Sequence, residues 1–334
     1  MKPLSRSRRR QILRKSGFQP SDARMNRDQH SESPSPHFFA PGSLWSLVQA
    51  RVQAAHRRGI LQPIPTEYEF VSDKGVLFLV RIVTSLARKE AVGQSTGRDD
   101  RVSGVSQNPF LPYDPELFVA DVTSTHVCLL NKFNVIDGHI LLVTREYEDQ
   151  ETPLSRQDFE ALWRCMVEFD GLGFYNAGPV AGASQRHRHM QMVPLPLAPK
   201  GPKIPIEPVL AEAKFHGQFG GAPAFPFRHV LCRIAPLEHR TPAEQAVELH
   251  TCYQAMCQEA GVKCFGDTGQ LSPYNLLITR QEMLLVPRSK ECFRDISINS
   301  LGFAGAFLVK DREQLELVKQ YGPMSLLREV GVPW

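Results

Sequence analysis

The segment Ala183–Val193, ASQRHRHMQMV, places His187, His189 and Gln191 at every second position, with Arg186 and Arg188 interleaved and the run NAGPVAGAS just ahead. In a β-strand, side chains two apart share a face. Two imidazoles and a carboxamide would then project in one row, with Arg188, Met190 and Met192 on the reverse. Transfer chemistry on a phosphate ester can use such a row, because it depends mostly on positioning and charge stabilisation. It needs main-chain N–H groups at close approach, which glycine permits, and a nucleophile that is neutral yet strong at pH 7. Imidazole, with an ordinary pKa of about 6.5, meets that need; it forms a labile phosphoramidate and divides one hard displacement into two easier ones. Here Gly178 and Gly182 supply the approach, Asn176 a polar positioner, Ser184 a hydroxyl, and His189 the nucleophile between His187 and Gln191. The pair H-x-H alone would equally suit two metal ligands on a strand. The joint spacing N-x-G-x-x-x-G-x-S-x-x-H-x-H-x-Q is far more specific than its pieces. A hydrogen bond from Nδ1–H of His189 to a main-chain carbonyl would present Nε2 to a phosphorus. Arg186 and Arg188 are expected as surface charge.

The elements that must hold this row follow from periodicity. Residues 43–58 read as an amphipathic helix stopped by Gly59. EYEFVSDKGVLFLVRIV is a hairpin around Asp73-Lys74-Gly75, and 91–116 a loop rich in Gly, Ser, Pro and Asp. Strands are expected near 117–121, 125–131, 139–144, 172–176 and 187–193, with a helix over 156–169 that starts at Ser155 and buries Phe159, Leu162, Trp163 and Met166. After a Pro-rich linker at 194–208 come a strand at 227–234, a helix begun by Thr241-Pro242-Ala243-Glu244 and ended by Gly261, a hairpin at 274–288, a strand near 303–309 and helices at 311–320 and 323–330. Connections this short favour antiparallel strands. The fold class is α+β, a mostly antiparallel sheet with helices packed on it; no internal repeat is convincing.

Composition narrows the function. The 334 residues exceed the usual single core, and three segments are expected: a basic disordered tail (1–40), a catalytic domain (41–200) and a C-terminal domain (201–334). The net charge of +4 is uneven, since residues 1–40 carry nine Lys/Arg and three Asp/Glu while the rest is slightly acidic. A nucleic-acid role would therefore be confined to the tail, which also reads as an organellar transit peptide or as sequence upstream of a start at Met25. No apolar run reaches membrane-spanning length. Seven cysteines without a C-x-x-C pair read as small hydrophobes in a reduced cytoplasm, with no cysteine metal site.

The strand motif resembles that of the histidine-triad superfamily, H-x-H-x-H/Q with the middle histidine as nucleophile, in the Gln form of its transferase branch. Together with NPFLPYDPELFV (108–119), LLNKFNVIDGHILLVTREYE (129–148) and the C-terminal YNLLITRQEMLLVPRSK and SLGFAGAFLVK runs, it resembles the ATP adenylyltransferase, or diadenosine tetraphosphate phosphorylase, family from about residue 43 onward. The resemblance implies phosphorolysis of diadenosine tetraphosphate by inorganic phosphate, giving ATP and ADP through an adenylyl-histidine on His189. It implies a histidine-triad-like domain completed by a C-terminal α+β extension. By the same resemblance Gly182, Ala183, Ser184, Gln185 and Gln191 contact the phosphates, with Asn176 beside them. Asn131 and Lys132 match nucleotide contacts, Lys89 a polyphosphate contact, and Tyr274, Asn275, Met283 and Arg288 the hairpin that completes the site. His187 is read as a support or phosphate contact, and His139 as packing behind the nucleotide. His126, His229, His239 and His250 carry no pattern.

A divalent cation, magnesium by preference, is expected to accompany the polyphosphate, with no protein ligands nameable. Other readings stay open: a phosphorylase acting on a nucleotide sugar or adenylyl sulfate, a hexose-1-phosphate uridylyltransferase (whose cysteine metal sites have no counterpart here), and a nucleotide sensor without turnover. Oligomeric state is not legible.

Overall fold

The computed structural model describes residues 38–84, 108–235, 240–265 and 269–334; the basic tail and Lys89 fall outside them. Helix α1 spans Leu44–Arg57. Strands β1 (Thr66–Asp73) and β2 (Val76–Val83) form the expected antiparallel hairpin. Its turn is Lys74-Gly75, both at positive φ, the geometry that matches a two-residue turn to strand twist. Next come β3 (Phe118–Asp121), β4 (His126–Leu130) and β5 (Ile140–Thr144). Helix α2 (Arg156–Met166) opens on the Ser155/Asp158 capping box and buries Phe159, Leu162, Trp163 and Met166 as their spacing predicts. Strands β6 (Gly171–Asn176) and β7 (His189–Pro194) follow, then the short pair β8 (Lys214–His216) and β9 (Phe219–Gly221), not foreseen, and β10 (Val230–Arg233). Helix α3 (Pro242–Glu259) starts at the Thr241/Glu244 capping box with Pro at its first position. Two small hairpins, β11/β12 (Cys264–Phe265, Gln270–Leu271) and β15/β16 (Cys292–Phe293, Ile296–Ser297), flank β13 (Tyr274–Ile278) and β14 (Glu282–Pro287). Strand β17 (Ala306–Val309) and helices α4 (Arg312–Tyr321) and α5 (Pro323–Val330) end the chain.

One ten-stranded sheet, ordered β3-β4-β5-β7-β6-β13-β14-β10-β9-β8 and antiparallel throughout, organises the described residues. Segments on both sides of residue 200 enter it. The sequence betrays no repeat, yet β5-α2-β6-β7 and β10-α3-β13-β14 are the same unit twice, arranged 5-7-6 and 13-14-10 about the β6–β13 seam. The small sheet adds β17 to β2 in parallel, the one parallel pairing among the described strands.

Alternation gives the large sheet two faces. One carries Leu142, Met190, Met192, Tyr175, Tyr274, Leu276, Met283 and Leu285 into the core beneath α2 and α3. The other carries Leu172, Phe174, Leu277 and Leu284 against the C-terminal helices, and Val127, Leu129, Leu141 and Val143 against Phe110. His189 and Gln191 belong to this second face, between its two apolar clusters. All seven cysteines are free, and no described helix is long and apolar enough to cross a membrane.

Candidate active site

His189 opens β7, and its Nδ1 lies 2.8 Å from the main-chain oxygen of His187. A carbonyl only accepts, so Nδ1 carries the proton and Nε2 is left with its lone pair. Burial lowers the His189 pKa to about 4, outweighing the help of that carbonyl, so the imidazole is neutral at pH 7. The Phe110 ring, 5.4 Å from His189 and 5.6 Å from His187, closes one side.

The main chain of His189 is held by a residue that sequence reasoning missed. Gln150, wholly buried, accepts from His189 N at 2.8 Å and donates to His189 O at 3.2 Å and to Asn176 O at 3.0 Å. Its own carbonyl accepts from the Tyr175 hydroxyl. Nothing in the polar run YEDQETP marks Gln150 for this task.

His187 lies just before the regular strand, bridged to Asp149. Its Nε2 donates to Thr144 O at 2.8 Å, which leaves Nδ1 to accept from Asn108 Nδ2 at 3.0 Å. Both ring nitrogens of His187 are thus engaged within the protein, and its main-chain oxygen orients the His189 ring. Gln191 Oε1 sits 2.9 Å from His139 Nε2, and His139 Nδ1 sits 3.2 Å from Asn131 Nδ2. His139 is therefore more than the packing residue expected. Lys132 follows Asn131, half-buried, its ammonium 5.7 Å from the centre of the exposed Phe133 ring.

Beneath the glycine loop lies a buried polar lattice. Asn176 Oδ1 accepts from Asn275 Nδ2 at 2.8 Å and from Ser300 N and Oγ at 3.0 and 2.7 Å. Asn275 also donates to Ala181 O, and the Arg288 guanidinium donates to the carbonyls of Ala181, Ile298, Lys290, Glu291 and Val330 and to Asn275 Oδ1. Desolvation lowers the Arg288 pKa to about 10. Asn176, Asn275 and Arg288 thus brace the loop from below. Above them Ala183, Ser184 and Gln185 line a small pocket of about 50 Å³ with Asp149, Glu151 and Gly178. Gly182 has φ +89°, and a Cβ there would stand 3.0 Å from the Asn299 Cα, so this turn needs glycine.

Two expected site residues are not brought to this face. Tyr274 and Met283 are fully buried on the opposite side, under the helices, with the Tyr274 hydroxyl 2.7 Å from that of Tyr253. Arg186 is exposed and pairs with Asp149 at 3.1 Å, as a surface charge should. Arg188 corrects its expectation: it is 4% exposed and bonds Glu148, Asp158, Thr152 and Asp149 O. The strand's reverse face meets the capped start of α2, where Asp158 needs a cation; His126, which showed no pattern, bonds the same carboxylate at 3.0 Å. Among the described residues no three His, Cys, Asp or Glu side chains gather to hold a metal ion.

Comparison with known proteins places the arrangement. Residues 34–212 match the Ap4A phosphorylase N-terminal domain and residues 223–333 the ATP adenylyltransferase C-terminal domain. The chain is 30% identical over 304 residues to diadenosine 5',5'''-P1,P4-tetraphosphate phosphorylase 2 of Saccharomyces cerevisiae, covering 82% of this chain and 89% of that one. It is 29% identical to Protein APA1 of the same yeast over 88% of this chain and 95% of that one. The crystal structure of yeast Ap4A phosphorylase Apa2 superposes with a TM-score of 0.70 at 26% identity, covering 87% and 97% of the two chains. The same enzyme in complex with Ap4A gives 0.68 at 25% identity, over 87% and 98%. Two consecutive domain matches, a full-length relative and a shared fold agree with the histidine row on its glycine-turn scaffold: this chain belongs to the Ap4A phosphorylase and ATP adenylyltransferase family of nucleotidyltransferases.

Proposed function

We propose that the chain catalyses phosphorolysis of diadenosine tetraphosphate by inorganic phosphate, giving ATP and ADP, through an adenylyl group carried on Nε2 of His189. The observation that carries the reading is the bond from His189 Nδ1–H to the His187 carbonyl, which leaves a neutral imidazole with its lone pair on Nε2. Nε2 attacks the phosphorus of one AMP unit; the N–P bond forms, the P–O bond breaks, and ATP leaves with the bonding pair. A phosphate oxygen then attacks the same phosphorus, the N–P pair returns to Nε2, and ADP leaves. Both steps run backward as well as forward. Positive charge on the adenylated ring is met by the His187 carbonyl at Nδ1.

A polyphosphate is a weakly basic leaving group and requires no proton at departure. A carboxamide at position 191 suits that demand, since it donates hydrogen bonds without acting as an acid or base. Lys132, with Lys89, offsets the charge of the tetraphosphate, and the N–H groups of the 182–185 turn cradle it. A divalent cation such as magnesium would accompany the polyphosphate and would supply further positive charge against it; no side chain is assigned to hold it. The relatives' substrates support the choice: the yeast relative is named for this tetraphosphate, and Apa2 is known in complex with Ap4A and with AMP. Incubating the protein with diadenosine tetraphosphate and magnesium tests the reading. ATP and ADP should form only when phosphate is added, and ATP with AMP in its absence would indicate a hydrolase.

A further inference from the structure

A run of hydrogen bonds behind Gln191 has its direction fixed at one end. The main-chain N–H of Phe133 can only donate, and it reaches Asn131 Oδ1 at 3.2 Å. That sets the Asn131 amide with Nδ2 toward His139 Nδ1, 3.2 Å away. An amide nitrogen only donates, so Nδ1 of His139 is bare and the ring proton sits on Nε2. Nε2–H then meets Gln191 Oε1 at 2.9 Å. With its oxygen occupied by His139, Gln191 has its NH2 group left to donate elsewhere.

We propose that His139 is a positioning residue that sets the polarity of Gln191, so that an N–H donor and never the amide oxygen faces the phosphate anion. The inference rests on the phosphorolysis reading for its consequence, though the polarity itself comes from the bonding pattern. The reverse tautomer would bring the Gln191 nitrogen to His139 and point a lone-pair oxygen at the anion. It would also take from Phe133 N its acceptor. Around the His139 ring stand Asn131 from the end of β4, Gln191 from β7, Phe174 from β6 at 5.7 Å between ring centres, and His189, the one titratable neighbour among the described residues acting on it. Burial first, then the neighbouring His189, keeps the ring neutral. A neutral ring is what allows a single fixed tautomer.

The test has three arms on the full chain. His139→Phe keeps the ring volume but frees the Gln191 amide; kcat is expected to fall about ten- to a hundredfold, with KM for diadenosine tetraphosphate changed far less. Asn131→Asp puts an acceptor at Nδ1. At low pH the doubly protonated ring still donates to Gln191; as pH rises and Nε2 loses its proton, kcat should fall along a limb that the wild type lacks. An unchanged kcat in His139→Phe, or a pH profile of Asn131→Asp parallel to the wild type, would overturn the proposal. In the third arm, 15N NMR of the wild-type imidazoles reads the tautomer without turnover. A protonated Nε2 and bare Nδ1 on His139 are expected, and a protonated Nδ1 would overturn the polarity whatever reaction the protein catalyses. Failure of the wild type to form ATP and ADP from the tetraphosphate and phosphate would count against the reaction, not the tautomer.

Discussion

Gln150 and His189 are joined by two hydrogen bonds, the Gln150 carboxamide accepting from the His189 N–H at 2.8 Å and donating to the His189 carbonyl at 3.2 Å. One buried side chain thereby imitates a neighbouring strand where β6 has ended and the glycine turn begins. Gln150→Leu should take from the His189 N–H and the His189 carbonyl the partner they find in Gln150, at about 1–3 kcal/mol for each buried group, while the Asn176 carbonyl keeps its bond from the Gly178 N–H. Urea unfolding would measure the loss, and kcat should fall with it, since the nucleophile's main chain is no longer held. A variant of wild-type stability and kcat would refute the role.

Gly182 makes the next case. Its positive φ and the Asn299 main chain 3.0 Å from any added Cβ leave no room for alanine. Gly182→Ala should lower stability by about 1–3 kcal/mol and raise KM for the polyphosphate, because the turn would move away from the phosphates. Steady-state kinetics beside thermal unfolding would check both.

Arg288 predicts a larger effect. Its guanidinium serves five main-chain carbonyls and Asn275 Oδ1, with no carboxylate among these acceptors. Arg288→Met should cost about 1–3 kcal/mol for each buried acceptor left without a donor, while Ala181 O, Glu291 O and Val330 O keep other donors. The residue reaches the site through Ala181 O, at the base of the turn.

Acid should weaken the fold in a defined window. The His189 and His139 pKa values are both lowered to about 4, chiefly by burial, against about 6.5 in the unfolded chain. Between those values the unfolded chain binds more protons, so stability is full above pH 6.5, falls as pH drops toward 4, and levels off below. At pH 5 each ring should account for about 2 kcal/mol of loss. Urea midpoints at pH 7.5 and 5 would reveal it, and His139→Phe should remove one share.

Much of this molecule was legible locally. The caps at Ser155 and Thr241, the Lys74-Gly75 turn and the alternation of 187–193 are written in neighbouring residues, and the elements they mark lie where expected. The row His189–Gln191 on one face followed from the period of two. What could not be read depends on residues distant in sequence. Gln150 acquires its role only when β6 and β7 meet beside it. Arg188 looked like surface charge because Asp158 and His126, its neighbours in the fold, are 30 or more residues away. Tyr274 and Met283 sit in a hairpin whose other face does brace the site, through Asn275, and the sequence offers no way to tell which face is which before the seam with β6 is known. The repeated unit escaped notice because its second copy keeps the topology while Glu282 and Leu284 replace the chemistry.

The most direct test of the central claim is a search for the adenylated enzyme. The protein would be mixed with diadenosine tetraphosphate and magnesium without phosphate, and its intact mass measured before and after phosphate is added. The account predicts one adenylyl adduct per chain, located on His189, appearing with release of ATP, lost on adding phosphate with formation of ADP, and absent from His189→Ala. Phosphate-dependent formation of ATP and ADP by His189→Ala at the wild-type rate, or an adduct on another residue, would contradict it.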